Sequence, residues 1–326
     1  MTVSTPGGTS TTQGARRPVP HTDLEVFPVT LGGNVFGWTA DEEASFAVLD
    51  AYVAGGGNFI DTADVYSAWV PGHSGGESES VLGRWMAARG NRDDLVIATK
   101  VGSHAAVPGL SRSSIRTGVQ ASLQRLGTDR IDLYYAHRDD PDTPQEETVA
   151  AFGELVAEGA VRYVAASNYT PERLTSALRI ADGLGVARFV ALQPLYNLVN
   201  RDAYEGELAS AVAAEGLGCV PYAALAGGFL TGKYRDGGAA VDSPRAANAT
   251  KRLDDRGRAV LAALDEVSEQ TGTSPTVVSL AWLAAQPTVV APIASASRVE
   301  QVPDLLAGAT LALTADQLAL LDTASR

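Results

Sequence analysis

Short runs rich in β-branched and aromatic residues recur along this chain, and a longer stretch with helical periodicity separates each from the next. The runs are Val29-Thr30-Leu31, Phe59-Ile60, Leu95-Val96-Ile97-Ala98, Ile131-Asp132-Leu133-Tyr134-Tyr135, Val161-Arg162-Tyr163-Val164-Ala165, Phe189-Val190-Ala191-Leu192, Cys219-Val220-Pro221 and Val289-Val290-Ala291-Pro292-Ile293. This alternation predicts an α/β protein with a parallel sheet, and eight strands is the number that closes a (β/α)8 TIM barrel. A length of 326 residues suits one such unit. The rhythm continues without a linker, so residues 17–326 are read as a single domain. Pro221 and Pro292 cannot donate to a central ladder and are expected at strand ends.

Helix boundaries are marked by capping chemistry. Thr143-Pro144 with Glu146, Thr170-Pro171 and Ser274-Pro275 read as a cap followed by proline in the first turn. Thr39 with Glu42, Ser297 with Glu300 and Thr314 with Gln317 fit the capping box. From Ser111 onward, Ile115, Val119, Leu123 and Leu126 share one apolar face, and Gly90, Gly127, Gly159, Gly185 and Gly216 fall where helices should stop.

Composition removes several classes of function. With 45% hydrophobic and 19% charged residues and no apolar run of membrane-spanning length, the chain reads as a soluble globular protein. A formal net charge of -13 argues against nucleic acid or an acidic membrane as partner, since both need a cationic footprint. The single cysteine, Cys219, excludes an internal disulfide and reads as a buried thiol in a reducing compartment. The Thr/Ser/Gly-rich residues 1–16 are expected to be disordered. They lack the cationic and apolar blocks of a secretory signal, so a cytoplasmic location is the default. No His/Cys/Asp/Glu cluster has metal-ligand spacing, so no metal is expected.

In a parallel barrel all strands end on one face, where active sites form. Four ionisable groups fall at or just beyond such ends: Asp61, Tyr66 in the loop that follows it, Lys100 and His137. Together they suit proton donation to a carbonyl. Near neutral pH a phenol is protonated but yields its proton reluctantly, and an ammonium beside it is expected to lower its pKa and make it a better acid. Lys100 is the expected neighbour of Tyr66. Asp61 would pair with Lys100, and His137 would donate to the carbonyl oxygen or orient the substrate.

The run "GGNFIDTADVY", the strand end "IATK", and the segments "DLYYAHRDD", "ASNY", "LQPLYNL", "PYAALAGGFLTGKY" and "PIASASRVEQ" together resemble the aldo-keto reductase family, in the family's order, from about Phe27 onward. The resemblance implies a barrel whose bottom is closed by an N-terminal β-hairpin, here Val19-Pro20 with Leu24-Glu25-Val26-Phe27. It also implies the tetrad Asp61, Tyr66, Lys100 and His137, and reduction of an aldehyde or ketone by a nicotinamide nucleotide. The expected partner is a small-molecule carbonyl substrate; nothing in the sequence specifies an oligomeric state.

No Gly-x-Gly-x-x-Gly follows a strand, because Asn34 stands where the middle glycine of Gly32-Gly33-Asn34-Val35-Phe36-Gly37 should be. Ser167, Asn168 and Gln193 supply donors and acceptors suited to a carboxamide, and the resemblance puts the nicotinamide beside them. Tyr222 offers a face on which that ring can stack. The bland alternatives are an N-cap for Ser167 and a core aromatic for Tyr222. For the phosphates, Leu225, Gly228, Leu230 and Gly232 form a glycine-rich turn beside Lys233. Ser295, Ser297 and Arg298 open a helix whose N–H groups and dipole attract anions.

The resemblance assigns that last stretch to the adenosine 2'-phosphate, with Gln301 near the adenine. The common Gly-Ala-Arg wording is here Ser295-Ala296-Ser297 with arginine one place later, and Leu305 replaces a frequent asparagine. NADPH is favoured and NADH left open. Trp38, Trp69 and Arg138 are expected in the substrate wall. The polar segment 235–249 is read either as a lid or as a mere excursion. Two rival readings stay open: a Schiff base on Lys100, and a cofactor-binding barrel that regulates another protein.

Overall fold

The computed structural model describes residues 16–235 and 244–326. The expectation of disorder for residues 1–16 therefore falls outside the described residues except at Arg16, whose guanidinium donates to the Gly56 carbonyl at 3.2 Å. The strands are β1 (Thr30–Gly32), β2 (Phe59–Asp61), β3 (Val96–Val101), β4 (Ile131–Ala136), β5 (Val161–Ser167), β6 (Phe189–Gln193), β7 (Gly218–Cys219) and β8 (Ile293–Ala294). All are parallel, in the order β7-β6-β5-β4-β3-β2-β1-β8. The two edges meet: Cys219 N–H donates to the Thr288 carbonyl at 2.8 Å, and Val290 N–H to the Cys219 carbonyl at 2.8 Å. The result is a closed (β/α)8 barrel.

The last two strands are shorter than the runs that predict them, and proline accounts for it. Pro292 and Pro221 have no N–H, but their carbonyls accept from Thr30 and Ile293, each at 2.8 Å, at the strand margins. Conversely, β3, β5 and β6 run on through Lys100, Ser167 and Gln193, so these polar groups stand on strands and not in loops.

Parallel strands are buried on both faces, and their residues sort by alternation. Ile60, Ile97, Tyr134 and Ala166 pack outward into the layer under the helices. Phe59, Val96, Ala98, Leu133, Tyr135 and Ala165 form a separate interior cluster. That cluster also holds Val19, Leu24 and Val26, delivered by an antiparallel ribbon that pairs Arg17–Pro18 with Glu25–Val26. The hairpin thus plugs the barrel bottom with apolar side chains. Asn58 fixes it there by accepting from Phe27 N–H at 2.8 Å and donating to the Glu25 carbonyl at 3.0 Å.

The helices are α1 (Glu42–Ala54), α2 (Glu77–Arg89), α3 (Arg112–Leu126), α4 (Gln145–Ala157), α5 (Pro171–Leu184), α6 (Glu207–Ala214), α7 (Ala246–Thr250), α8 (Asp255–Thr271), α9 (Pro275–Ala284), α10 (Val302–Gly308) and α11 (Ala315–Ala324). Thr170, Ser274, Ser111 and Thr314 cap their helices as expected. Three caps differ. Asp41, not Thr39, accepts from Ala44 N–H at 2.9 Å and opens α1. The Thr143 hydroxyl donates to Asp140 Oδ2 at 2.7 Å, so Pro144 occupies the cap position of α4. At the turn before α10, Gln301 replaces Glu300 as the capping side chain. In the polar segment after β7, residues 236–243 lie outside the described residues, whereas 246–250 form α7 in place of the aperiodic chain expected there. Among the described residues no helix is long and apolar enough to cross a membrane.

Candidate active site

Alternation explains which groups reach the open end. In β2 the interior residue Phe59 is followed two places later by Asp61, and in β3 the interior pair Val96 and Ala98 is followed by Lys100. Leu133 and Tyr135 are continued by His137, Ala165 by Ser167, Ala191 by Gln193, and Val220 by Tyr222. In these six strands the inward position beyond the apolar layer is therefore polar. Register completes the placement: Asp61 pairs with Ala98, so Lys100 lies two residues further along the neighbouring strand, and Lys100 pairs with Tyr135.

Four expected residues meet here. Lys100 Nζ donates to Asp61 Oδ2 at 2.7 Å, to the Thr62 carbonyl at 2.8 Å and to the Tyr66 hydroxyl at 2.8 Å. Tyr66 Oη lies 3.3 Å from Asp61 Oδ2, to which it donates, and Gln193 Nε2 donates to Asp61 Oδ1 at 2.9 Å. Lys100 and Asp61 are almost wholly buried, so the pair survives only because each charge is met by the other and by further hydrogen bonds. The His137 ring stands edge-on to Tyr66, centroids 6.3 Å apart.

Protonation follows from this packing. Burial pulls the Lys100 pKa below that of an ordinary lysine while Asp61 opposes the shift. Burial next to Lys100 and Arg138 lowers His137 to about 3, which leaves the imidazole neutral. Tyr66 runs against expectation. Burial first and the Asp61 carboxylate second push its pKa well above that of a free phenol, so the resting site holds this proton more tightly and not less. An ammonium 2.8 Å away favours a phenolate over a phenol, but here burial outweighs it.

Tyr66 and His137 stand in the wall of a cavity of about 1370 Å³ that extends from the barrel mouth across the ends of β5 to β8. Ser167, Asn168, Gln193, Tyr222, Leu225, Gly228, Lys233, Ser295, Ser297, Arg298 and Gln301 all line it. Several are tied to one another. Ser167 Oγ donates to the Gln193 carbonyl at 2.8 Å, Asn168 Nδ2 to the His137 carbonyl at 2.9 Å, and Tyr222 Oη to Asn168 Oδ1 at 2.9 Å. Gly228 has φ +92, and a Cβ there would press on Lys233 Cε at 3.1 Å, so glycine both makes the turn and leaves room for the lysine across it.

Leu230 and Gly232 do not reach the wall. The Leu230 side chain is fully buried in the core, and Gly232 closes the turn beneath Arg235. The helix-start reading of 295–298 also changes. Ser297 N–H at 2.8 Å and Arg298 N–H at 3.2 Å both donate to Gln301 Oε1, so these amides are already used and anion attraction falls to the side chains. Arg138 lines the cavity and donates to Ser103 Oγ at 3.1 Å. Trp38 and Trp69 stand outside the wall in an aromatic chain, Trp38 to Trp69 at 5.5 Å and Trp69 to Tyr66 at 6.1 Å.

Arg245 was not foreseen. It lines the cavity and lies over the Trp38 ring at 5.1 Å, reached from a segment with no periodicity to mark it. Asn34, Thr231 and Asp304 in the same wall also carried no local signal.

The arrangement joins a proton donor, a neutral imidazole and a long groove with cations at its far end. The chain is also similar to known proteins. The chain is 34% identical over 93% of its length to an uncharacterized oxidoreductase, YrpG, of Bacillus subtilis, covering 93% of that protein. It is 32% identical over 95% of its length to norsolorinic acid reductase B of Aspergillus parasiticus, covering 83% of that protein. A probable voltage-gated potassium channel subunit beta of Oryza sativa subsp. japonica is 34% identical, with 86% of each chain covered. The model of the aldo/keto reductase family matches residues 28–326, nearly the whole barrel and both ends of the groove, and the chain belongs to that family of NAD(P)H-dependent oxidoreductases.

Proposed function

We propose that the protein reduces an aldehyde or ketone with NADPH, and that Tyr66 is the general acid. The observation that carries this reading is the Tyr66 hydroxyl in the cavity wall, 2.8 Å from Lys100 Nζ and 3.3 Å from Asp61 Oδ2. The residues of the groove fit a dinucleotide: Tyr222, Asn168 and Gln193 flank the catalytic end, while Lys233 and Arg298 supply positive charge at the other. Among the described residues neither cation has an ion-pair partner. When bound, the reduced nicotinamide supplies a hydride to the carbonyl carbon.

The protein's own residues handle the oxygen. The neutral His137 ring donates an N–H to it, which polarises the carbonyl without losing a proton. As negative charge builds, the oxygen becomes a stronger base than a phenolate and takes the Tyr66 proton. The phenolate left behind is stabilised by the Lys100 ammonium. Asp61 holds that ammonium in place, and Gln193 holds Asp61. A Schiff base on Lys100 is the weaker reading, because an amine nucleophile needs a free lone pair and all three ammonium protons already have acceptors at 2.7 to 2.8 Å.

Tyr66→Phe removes the donated proton and little else. Carbonyl-dependent NADPH oxidation is expected to fall by at least about 100-fold with nucleotide affinity retained, and an unchanged rate would remove Tyr66 from this role. Relatives named as potassium channel subunits favour a second reading, a nucleotide-binding regulatory barrel. Tight NADPH binding without turnover on a broad carbonyl panel would select it.

A further inference from the structure

Three residues beyond Asp61, in the loop that follows β2, stands a second buried acid that the proposed reaction does not use. Asp64 is 2% exposed, and neither carboxylate oxygen has a hydrogen-bond partner among the described residues. Its backbone N–H donates to the Lys100 carbonyl at 3.3 Å, which ties the loop to the strand that carries the catalytic ammonium. Glu79 of α2, fully buried, accepts from Thr99 Oγ1 and from Arg125 Nε of α3, both at 2.6 Å. The Tyr134 phenol of β4 is buried there too and likewise lacks a partner among the described residues. Behind the catalytic layer, two carboxyl groups therefore share one guanidinium, and only Glu79 is bonded to it.

We propose that Asp64 is a positioning residue for the reduction: it is protonated in the most active form, and when it ionises its charge lies behind Lys100 and Tyr66 and makes the phenol a poorer proton donor. This inference rests on the reading of Tyr66 as general acid. Two carboxylates against one cation cannot both be compensated, so the acid without a bond is the one that keeps its proton. Burial first and the Glu79 charge second raise Asp64 to about 7, against Arg125, Lys100 and the Val65 N–H, which lies near without reaching hydrogen-bond geometry. The groups that face it are thus Glu79 from α2, Arg125 from α3, Lys100 from β3, Tyr134 from β4, and Tyr66 from its own loop. The His104 ring stands on the backbone side of the loop, where a Cβ on Gly75 would meet it at 2.7 Å and the Asp64 peptide carbonyl at 3.0 Å. The Asp64 charge in turn raises both Tyr66 and Lys100.

The sign of the stability effect follows from the direction of the shift. An acid whose folded-state pKa is raised stabilises the fold most below its unfolded value, and that contribution is lost as pH rises toward 7. Asp64→Asn keeps the neutral shape at every pH. Its melting temperature relative to the natural chain should therefore climb by about 5 °C between pH 5 and pH 8.

The decisive measurement is single-turnover carbonyl reduction by the NADPH-loaded protein across pH 5 to 9. The natural chain should step down about fivefold near pH 7, and Asp64→Asn should run flat through that range. Glu79→Gln, which removes the neighbouring charge, should move the step to lower pH and keeps the test usable if Asp64→Asn folds poorly. A step that persists in Asp64→Asn, or that Glu79→Gln leaves in place, overturns the proposal. So does a melting difference that does not change with pH. If the natural chain reduces no carbonyl at all, the Tyr66 reading falls and this one with it, whereas the melting comparison still reports whether Asp64 holds its proton.

Discussion

The two ends of the barrel each bury an aspartate to the same degree, and they use it differently. At the bottom, Asp132 is 1% exposed near the start of β4; its Oδ2 accepts from Ile97 N–H at 2.9 Å and pairs with Arg92 at 2.8 Å, while Oδ1 pairs with Arg162 at 3.0 Å. At the top, Asp61 is also 1% exposed, and its oxygens are held by Lys100, Tyr66 and Gln193. Both acids are saturated. The bottom partners are guanidinium groups and a peptide N–H, none of which exchanges a proton near neutral pH. The top partners are the Gln193 amide, an ammonium and a phenol, and the phenol lines an open cavity. Charge balance thus holds strands together at one end, and at the other it holds the groups proposed to transfer a proton.

Removing Asp132 should give the largest effect on that contrast. Asp132→Ala leaves Arg92 half-buried without its acid and should cost about 3 to 5 kcal/mol of stability in urea unfolding, while turnover per folded molecule is kept. Tyr66→Phe is its mirror image, with turnover lost and stability kept. If Asp132→Ala also abolished turnover in the folded fraction, the two ends would not be separable.

Much of the barrel was readable because burial on both faces of a parallel strand leaves long apolar runs, and because inward alternation extends those runs onto Asp61, Lys100 and His137. All eight strands fell where such runs stand, off by a few residues at Pro221 and Pro292, where missing donors shorten the ladder. The less readable parts depend on contacts between distant segments. That Arg245 would lie over Trp38 is a fact about two loops about 200 positions apart, with no period or cap to announce it. Gln301 took the capping role from Glu300 because the turn entering α10 is tight enough for its side chain to reach back to residue 297. The raised Tyr66 pKa was missed for another reason: the sequence shows that a lysine is near but not how dry the site is, and burial outweighs the pair.

Acid should expose the next largest difference between the two ends. His137 is held neutral with its pKa lowered to about 3, so the unfolded chain takes up this proton first. Stability from the neutral ring is complete above the unfolded value near 6.5 and is lost as pH falls toward 3. Between pH 7 and pH 4.5 the natural chain should lose about 2 to 3 kcal/mol more than His137→Gln. Equal losses in urea titrations would mean that the ring is solvated and that its neutrality is no property of the site.

The smallest effect asks whether the open end is one site or two. Tyr66 and Lys233 line the same cavity, yet the first is proposed for the proton chemistry and the second supplies positive charge with Arg298. Because Gln301 already occupies the backbone amides of Ser297 and Arg298, a 2'-phosphate bound there as proposed would have to be held by side chains, chiefly the Arg298 guanidinium. Arg298→Gln should weaken NADPH binding by about tenfold and NADH binding by less than about twofold, read by fluorescence titration of each nucleotide. An equal loss for both would place Arg298 on a group the two nucleotides share, and the pyrophosphate would replace the 2'-phosphate as its target.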